Sequence, residues 1–242
     1  MSKVSVIIPA AGSGTRYGAK GNKIFERLKG QPIFIRTIEA FVNREDVCQV
    51  QMVVAPGDLE EVKERFGGHL GFMGVSVAVG GVTRAQTVKN ALANVNEQAT
   101  LVCVHDAVRP CVCQLWIDAV FRVADKCGAA MLATPLHGTL KKVSADKIIQ
   151  QTVSRENLWE AQTPQVFKKA LLQKAYEGDL TDATDDARLV EALGESVRVV
   201  EGDPRNIKIT TPRDLAFAAA VIDTLPKPKP KGNQHPFAES QW

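Results

Sequence analysis

Long apolar runs are missing from this chain of 242 residues. No stretch approaches the roughly 18 residues that a membrane-crossing helix requires. The N-terminal "MSKVSVIIPAAGSG" carries one lysine and passes from a short apolar stretch straight into glycines, so the apolar region and cleavage site of a secretory signal are lacking too. These absences lead to the expectation of a cytoplasmic protein with no membrane partner. An excess of one charge is also lacking: 30 Lys+Arg stand against 27 Asp+Glu, a formal net charge of +3. That balance does not imply nucleic acid, and any cationic function must be local. The five cysteines, at 48, 103, 111, 113 and 127, form no C-x-x-C pair, which excludes the usual zinc and redox motifs. An odd count in a chain of this size reads as free thiols, with Cys111 and Cys113 the one pair worth watching.

What the chain does have is alternation. Short β-branched runs such as "KVSVII" (3–8), "VCQVQMVVA" (47–55), "GVSVAV" (74–79) and "TLVCVH" (100–105) take turns with amphipathic stretches such as "QPIFIRTIEAFV" (31–42), "DLEEVKERF" (58–66) and "QLWIDAVFRVADKC" (114–127). The pattern predicts an α/β fold, a doubly wound and mostly parallel sheet with helices on both faces. Residues 137–153 break it, because two short alternating runs around "SADK" predict a β-hairpin without a helix. A lone hairpin is marginal in water, so an arm at about 137–155 is expected to pack on something else, such as a second subunit. Farther on, "KKALLQKAYEG" (168–178) and "DDARLVEALG" (185–194) predict helices, and "VRVVEG" and "NIKIT" (206–210) predict strands. Thr211, Pro212 and Asp214 mark the start of a last helix. One domain over 1–225 is expected, followed by a Pro- and Lys-rich tail, 226–242, with the composition of disorder.

In such a sheet ligands bind beyond the carboxyl ends of the strands, so the residues after each strand carry the functional information. "PAAGSGTR" (9–16) is no dinucleotide fingerprint, since Tyr17 stands where the third glycine belongs, and it fits no Walker spacing. A dehydrogenase dependent on NAD is excluded on that ground. What remains are small residues at Ala10, Ala11, Gly12 and Gly14, whose amides can approach a base or a triphosphate, followed by Arg16 and Lys23. Two cations converging there would neutralise charge growing on an attacked phosphorus and a departing pyrophosphate. A tight turn with solvated cations is the plain alternative. "VCVHDAVRP" (102–110) puts Asp106 just past a buried strand, where it can hold Mg²⁺ or cap the next turn. Arg109 can reach a second phosphate or pair with that aspartate, and His105 reads as strand-end packing. "GGVTRAQTV" (80–88) offers Arg84 and Thr87 at a helix start, suited to a ligand oxygen or to capping alone. Lys208, between Ile207 and Ile209, gains meaning only if the other residues converge on it.

Taken together, "PAAGSGTR", "GGVTRAQTV", "VCVHDAVRP", "TVSRENLWEAQTPQVF", "TDDA" and "NIKITTPRDL" resemble, in order and spacing, the 2-C-methyl-D-erythritol 4-phosphate cytidylyltransferases over residues 3–224. The resemblance implies a Rossmann-like nucleotidyltransferase. It implies transfer of CMP from CTP to methylerythritol phosphate by direct in-line attack, with release of pyrophosphate, in non-mevalonate isoprenoid biosynthesis. Mg²⁺ or another divalent cation is implied as cofactor. By position, Ala10, Ala11, Gly12, Gly14, Gly81, Thr87 and Asp106 would hold the nucleotide, with Asp106 also on the metal. Arg16, Lys23 and Lys208 would stabilise the charged pentacoordinate phosphorus. For the sugar phosphate the resemblance implies Arg109, Thr163 and Thr184 of one subunit with Thr139 and Arg155 from the arm of its partner, hence a homodimer.

The family's Pro-Lys-Gln is "NKI" here, so Lys23 rests on its spacing from Arg16, with Lys20 as a competitor. Thr87 stands where Ser is commoner, and Val82 offers a nucleotide only its backbone. Two other readings stay open. A ribitol-5-phosphate cytidylyltransferase shares the fold and arm and differs in its acceptor. A nucleotide-binding regulator would have kept the pocket and lost the chemistry, against which Arg16, Lys23, Asp106 and Lys208 speak.

Overall fold

The structure, a computed structural model, describes residues 2–12, 23–181 and 183–227. In chain order its elements begin with β1 (Val4–Ala10), β2 (Arg27–Leu28), β3 (Gln31–Pro32), α1 (Ile33–Val42), β4 (Val47–Val54), α2 (Leu59–Phe72) and β5 (Val75–Val79). Next come α3 (Arg84–Leu92), β6 (Leu101–Val104), α4 (Gln114–Cys127), β7 (Ala129–Pro135), β8 (Leu140–Val143) and β9 (Ile149–Val153). The chain continues with β10 (Trp159–Lys168), α5 (Lys169–Ala175), α6 (Asp186–Glu191), β11 (Arg198–Glu201) and α7 (Pro212–Val221).

Period-two alternation along the strands makes the sheet two-sided. In β1, Val4, Val6, Ile8 and Ala10 enter one core while Ile7 enters the other. In β4, Val50, Met52 and Val54 share the first core and Val53 the second. Apolar residues of α1, α2, α4 and α7 close over the first face, and those of α3, α5 and α6 over the second. Each fully buried Ile or Val contributes on the order of 1.5–3 kcal/mol, so the alternation fixes which face each strand presents.

Among the described residues seven strands join in the order β11, β7, β10, β6, β1, β4, β5. All pairs are parallel except those of β10, which runs antiparallel to both β6 and β7. The doubly wound, mostly parallel sheet expected from the sequence is thus present, with one antiparallel strand inside it. The hairpin of β8 and β9 also forms where expected, as a two-stranded sheet of its own.

Two local expectations change. "NIKIT" is not a sheet strand; residues 207–210 are irregular, and Ile209 N–H donates to the Val108 carbonyl at 2.9 Å. The alternation Ile207, Lys208, Ile209 reflects a segment tucked against the site, with Ile209 buried. Helix α2 runs on to Phe72, past Gly67 and Gly68. The expected tail falls mostly at 228–242, outside the described residues. No helix among the described residues is long and apolar enough to cross a membrane.

Candidate active site

The carboxyl ends of β1, β5 and β6 lie on one side of the sheet, and their following residues wall one cavity of about 310 Å³. Ala10, Ala11 and Gly12 come from the end of β1, Arg84 and Thr87 from the start of α3, and Asp106 from the end of β6. Lys23 and Lys208 add two cations to the wall. A second cavity of about 180 Å³ is lined by Arg109, Gln162, Thr163, Gln165, Thr184 and Asp185 together with Arg84, Asp106 and Lys208. Those last three residues line both spaces.

The turn from β5 into α3 shows why two glycines stand there. A Cβ on Gly80 would meet the Thr87 side chain at 2.8 and 2.9 Å, inside van der Waals contact. Thr87 is fully buried, and its hydroxyl donates to the Thr83 carbonyl at 2.8 Å and accepts from Gly81 N–H at 3.1 Å. The hydroxyl expected to meet a nucleotide therefore holds the turn. Thr83 caps α3, its side chain accepting from Gln86 N–H, which sets Arg84 at the first helical position.

Asp106 is the electrostatic centre. Lys208 Nζ lies 3.0 Å from its Oδ2, Arg109 Nε 3.2 Å from the same oxygen, and Arg84 Nε 3.4 Å from Oδ1. Burial alone would raise its carboxyl pKa, but Arg84, Lys208 and Arg109 together hold it well below the usual carboxylate range. Asp106 is therefore ionised at neutral pH. Arg109 is itself buried, and its Nη1 donates to the Asn206 carbonyl at 2.8 Å.

Behind Asp106 the polar groups form a closed chain. Asp106 N–H donates to Thr163 Oγ1 at 3.1 Å, and that hydroxyl lies 3.1 Å from His105 Nδ1. His105 Nε2 lies 3.1 Å from the Arg109 carbonyl, which can only accept. The Nε2 atom must therefore carry the proton, and the Thr163 hydroxyl donates to Nδ1. Burial lowers the imidazole pKa to about 4, so His105 is neutral, and its ring packs on Phe41 with centroids 5.2 Å apart. The expected strand-end packing role holds, with two hydrogen bonds added.

Strand β10 brings Gln162 and Gln165, which the sequence did not announce, to the second cavity beside the expected Thr163. Its pairing with β7 shifts register between Ala161 and Gln165, and the irregularity accompanies Gln162 and Thr163 in the second cavity. Asn206 is fully buried and donates from Nδ2 to Gln162 Oε1 at 3.2 Å and to the Thr163 carbonyl at 2.8 Å. Gln165 Oε1 accepts from Asp186 N–H at 3.1 Å and Ala187 N–H at 2.9 Å, tying α6 to the sheet. Buried Gln, Thr and Asn inside a strand-like segment are the signal that could have marked them.

Of the sequence-predicted residues, Ala10, Ala11, Gly12, Lys23, Thr87, Asp106 and Lys208 meet around the first cavity, and Gly81 is held in the turn beside it. Arg109, Thr163 and Thr184 meet around the second. Thr139 and Arg155 are exposed on the hairpin arm and line neither cavity of their own chain. Gly14, Arg16 and Lys20 lie outside the described residues.

Comparison with known proteins gives this arrangement a lineage. The family model described as "IspD: 2-C-methyl-D-erythritol 4-phosphate cytidylyltransferase" matches residues 4–224. A 2-C-methyl-D-erythritol 4-phosphate cytidylyltransferase of Rhodopirellula baltica is 40% identical over 234 residues, covering 92% of this chain and 96% of the relative. A protein of the same name from Alkaliphilus oremlandii is 38% identical over 228 residues, covering 93% and 97%. The crystal structure of the Thermus thermophilus enzyme superposes with a TM-score of 0.77 at 34% identity, covering 91% of this chain and 99% of that one. Sequence, fold and structural comparison agree that the chain belongs to the 2-C-methyl-D-erythritol 4-phosphate cytidylyltransferase family.

Proposed function

We propose that the two joined cavities divide the family's reaction between them, the larger taking CTP and the smaller the phosphate end of methylerythritol phosphate. The observation that carries this reading is the common wall of Arg84, Asp106 and Lys208. An acceptor phosphate in one space then faces the α-phosphorus of a nucleotide in the other. One of its anionic oxygens attacks that phosphorus, the bond to pyrophosphate breaks in line, and pyrophosphate leaves with the electron pair. No proton has to move, which suits a site whose one histidine, His105, is neutral and walled in by its own hydrogen bonds.

Catalysis then rests on position and charge. Lys23 and Lys208, with Arg16, neutralise the negative charge that builds on the five-coordinate phosphorus. The amides after β1 and at the Gly81 turn take the nucleotide. Arg109, Thr163 and Thr184 take the acceptor. Mg²⁺ is bound by other proteins through one or two carboxylates plus substrate phosphates. Asp106 supplies one such carboxylate, and among the described residues no group of three or more metal-ligating side chains gathers. That donor set fits a cation that arrives with the triphosphate, and once bound it neutralises charge on the phosphate oxygens.

The arm completes the site from a second subunit. Ile148 and Ile149 on the hairpin are 66% and 61% exposed, and Val143 is 49% exposed, a surface that calls for cover. Thr139 and Arg155 on that arm would reach the acceptor of the partner.

Incubation with CTP, Mg²⁺ and either methylerythritol phosphate or ribitol 5-phosphate tests the reading. The expected products are the CDP-linked methylerythritol and pyrophosphate, identified by mass spectrometry. Faster turnover of ribitol 5-phosphate would overturn the assigned acceptor.

A further inference from the structure

At the junction of the cavities stands one side chain to which the reaction has so far assigned no part. Arg84 lines both cavities, as only Asp106 and Lys208 also do among the described residues. Its Nη2 donates to Asp186 Oδ2 at 2.7 Å, and its Nε lies 3.4 Å from Asp106 Oδ1. The remaining nitrogen, Nη1, makes no hydrogen bond among the described residues. The guanidinium is thus clamped at one corner, weakly held at another and open at the third.

The clamp itself is built in depth. Asp186 is fully buried at the start of α6. One of its oxygens takes Arg84 and the other accepts from the Tyr176 hydroxyl. Its backbone N–H is fixed by Gln165 Oε1. A buried carboxylate held on both oxygens is a rigid anchor, and removing its cation would leave an unpaired buried charge. A surface ion pair would need no such scaffold.

The geometry points to Arg84 as an additional catalytic residue that binds the acceptor's phosphate as it attacks, with Asp186 as the positioning residue that aims it. This rests on the reading that the two cavities hold CTP and a sugar phosphate. The planar fork of an arginine matches two oxygens of a phosphate, whereas a lysine offers one point of charge. At the junction those are the two non-bridging oxygens left after the third forms the new P–O bond. Asp106 and Asp186 lie on Nε and Nη2, which share one edge of the guanidinium, so the other edge, Nη1 with the second N–H of Nη2, takes those two oxygens while both carboxylate contacts are kept.

Steady-state kinetics on Arg84→Gln, Arg84→Lys and Arg84→Ala, with CTP and methylerythritol phosphate varied separately, tests this. Arg84→Gln is expected to lower kcat/KM for the acceptor on the order of 10²-fold while KM for CTP changes only a few-fold. Arg84→Lys should recover part of the loss, and millimolar methylguanidinium should partly restore Arg84→Ala. Asp186→Asn should lower acceptor kcat/KM about tenfold with CTP affinity kept, and Tyr176→Phe, which spares the anchor, should cost less. An acceptor kcat/KM unchanged in Arg84→Gln would overturn the inference. So would equal losses for both substrates that follow a falling Tm and resist methylguanidinium. Wild-type protein inert toward both substrates would instead sink the underlying assignment of the cavities.

Discussion

Asp106 keeps its charge in a place where burial opposes it, because Arg84, Lys208 and Arg109 surround it. Removing one of these cations does more than delete a contact. Lys208 lines both cavities, so Lys208→Ala should cut pyrophosphate release from CTP and acceptor on the order of 10²-fold, read by a coupled phosphate assay. Release at the wild-type rate would remove Lys208 from the mechanism. Thr163 tests the polar chain behind the carboxylate. Its hydroxyl serves Asp106 N–H and His105 Nδ1 together, so Thr163→Val leaves both buried groups without a partner. A loss of roughly 2–4 kcal/mol in urea unfolding is expected, with Thr163→Ser close to wild type. At this scale the sequence was legible where a charged residue follows a strand, as at Asp106, or keeps a fixed spacing, as at Lys23. It was not legible where a polar atom turns inward: the Thr87 hydroxyl is taken by Gly81 and Thr83, and Asn206 holds Gln162 and Thr163 from a segment that looked like a strand.

Elements carry a different kind of information. The start of α7 could be read directly from Thr211, Pro212 and Asp214, and the structure shows a full capping box there. The Asp214 carboxylate accepts from Thr210 N–H at 2.8 Å, the Thr210 hydroxyl at 2.8 Å and Thr211 N–H at 2.7 Å. Thr211→Ala should cost about 1 kcal/mol of stability. Partial burial raises the Asp214 carboxyl pKa, but the bonds from Thr210 and Thr211 outweigh it and leave the value below the ordinary one. A carboxyl depressed in the folded state stabilises above its unfolded pKa and loses that contribution as pH falls through the folded value. The destabilisation caused by Asp214→Asn should therefore be full at pH 7 and shrink below about pH 3.9, in chemical unfolding at a series of pH values. A penalty independent of pH would mean the carboxylate's charge is not what holds the cap. By contrast β10 escaped the sequence because its buried residues are not all apolar. Gln162, Thr163 and Gln165 are all buried within it, so neither period two nor a β-branched run marks the strand. The polar residues sit inside because they line the second cavity and anchor α6, and these buried hydrogen bonds overrode the apolar pattern there.

The whole molecule raises the question of how many chains one site needs. Arg155 sits on the arm with its Nη1 on the His137 carbonyl, away from both cavities of its own chain. If it serves the partner's site, each subunit alone is incomplete. Two inactive variants then test the arrangement against each other: Arg155→Ala spoils only the arm, and Lys208→Ala spoils only the central site. In a mixed dimer the subunit with the intact centre receives an intact arm from its partner, while the other site carries both defects. After subunit exchange at equal amounts about half of a twofold dimer population is mixed, so roughly a quarter of wild-type activity should return. If Arg155 acted on its own chain, every site in every mixture would carry one defect and no activity would return. Sedimentation must show a dimer across the same concentrations, since a monomer with full activity would contradict the shared site outright. Recovery on mixing, with each parent inactive alone, is a result that only contribution from the second subunit produces.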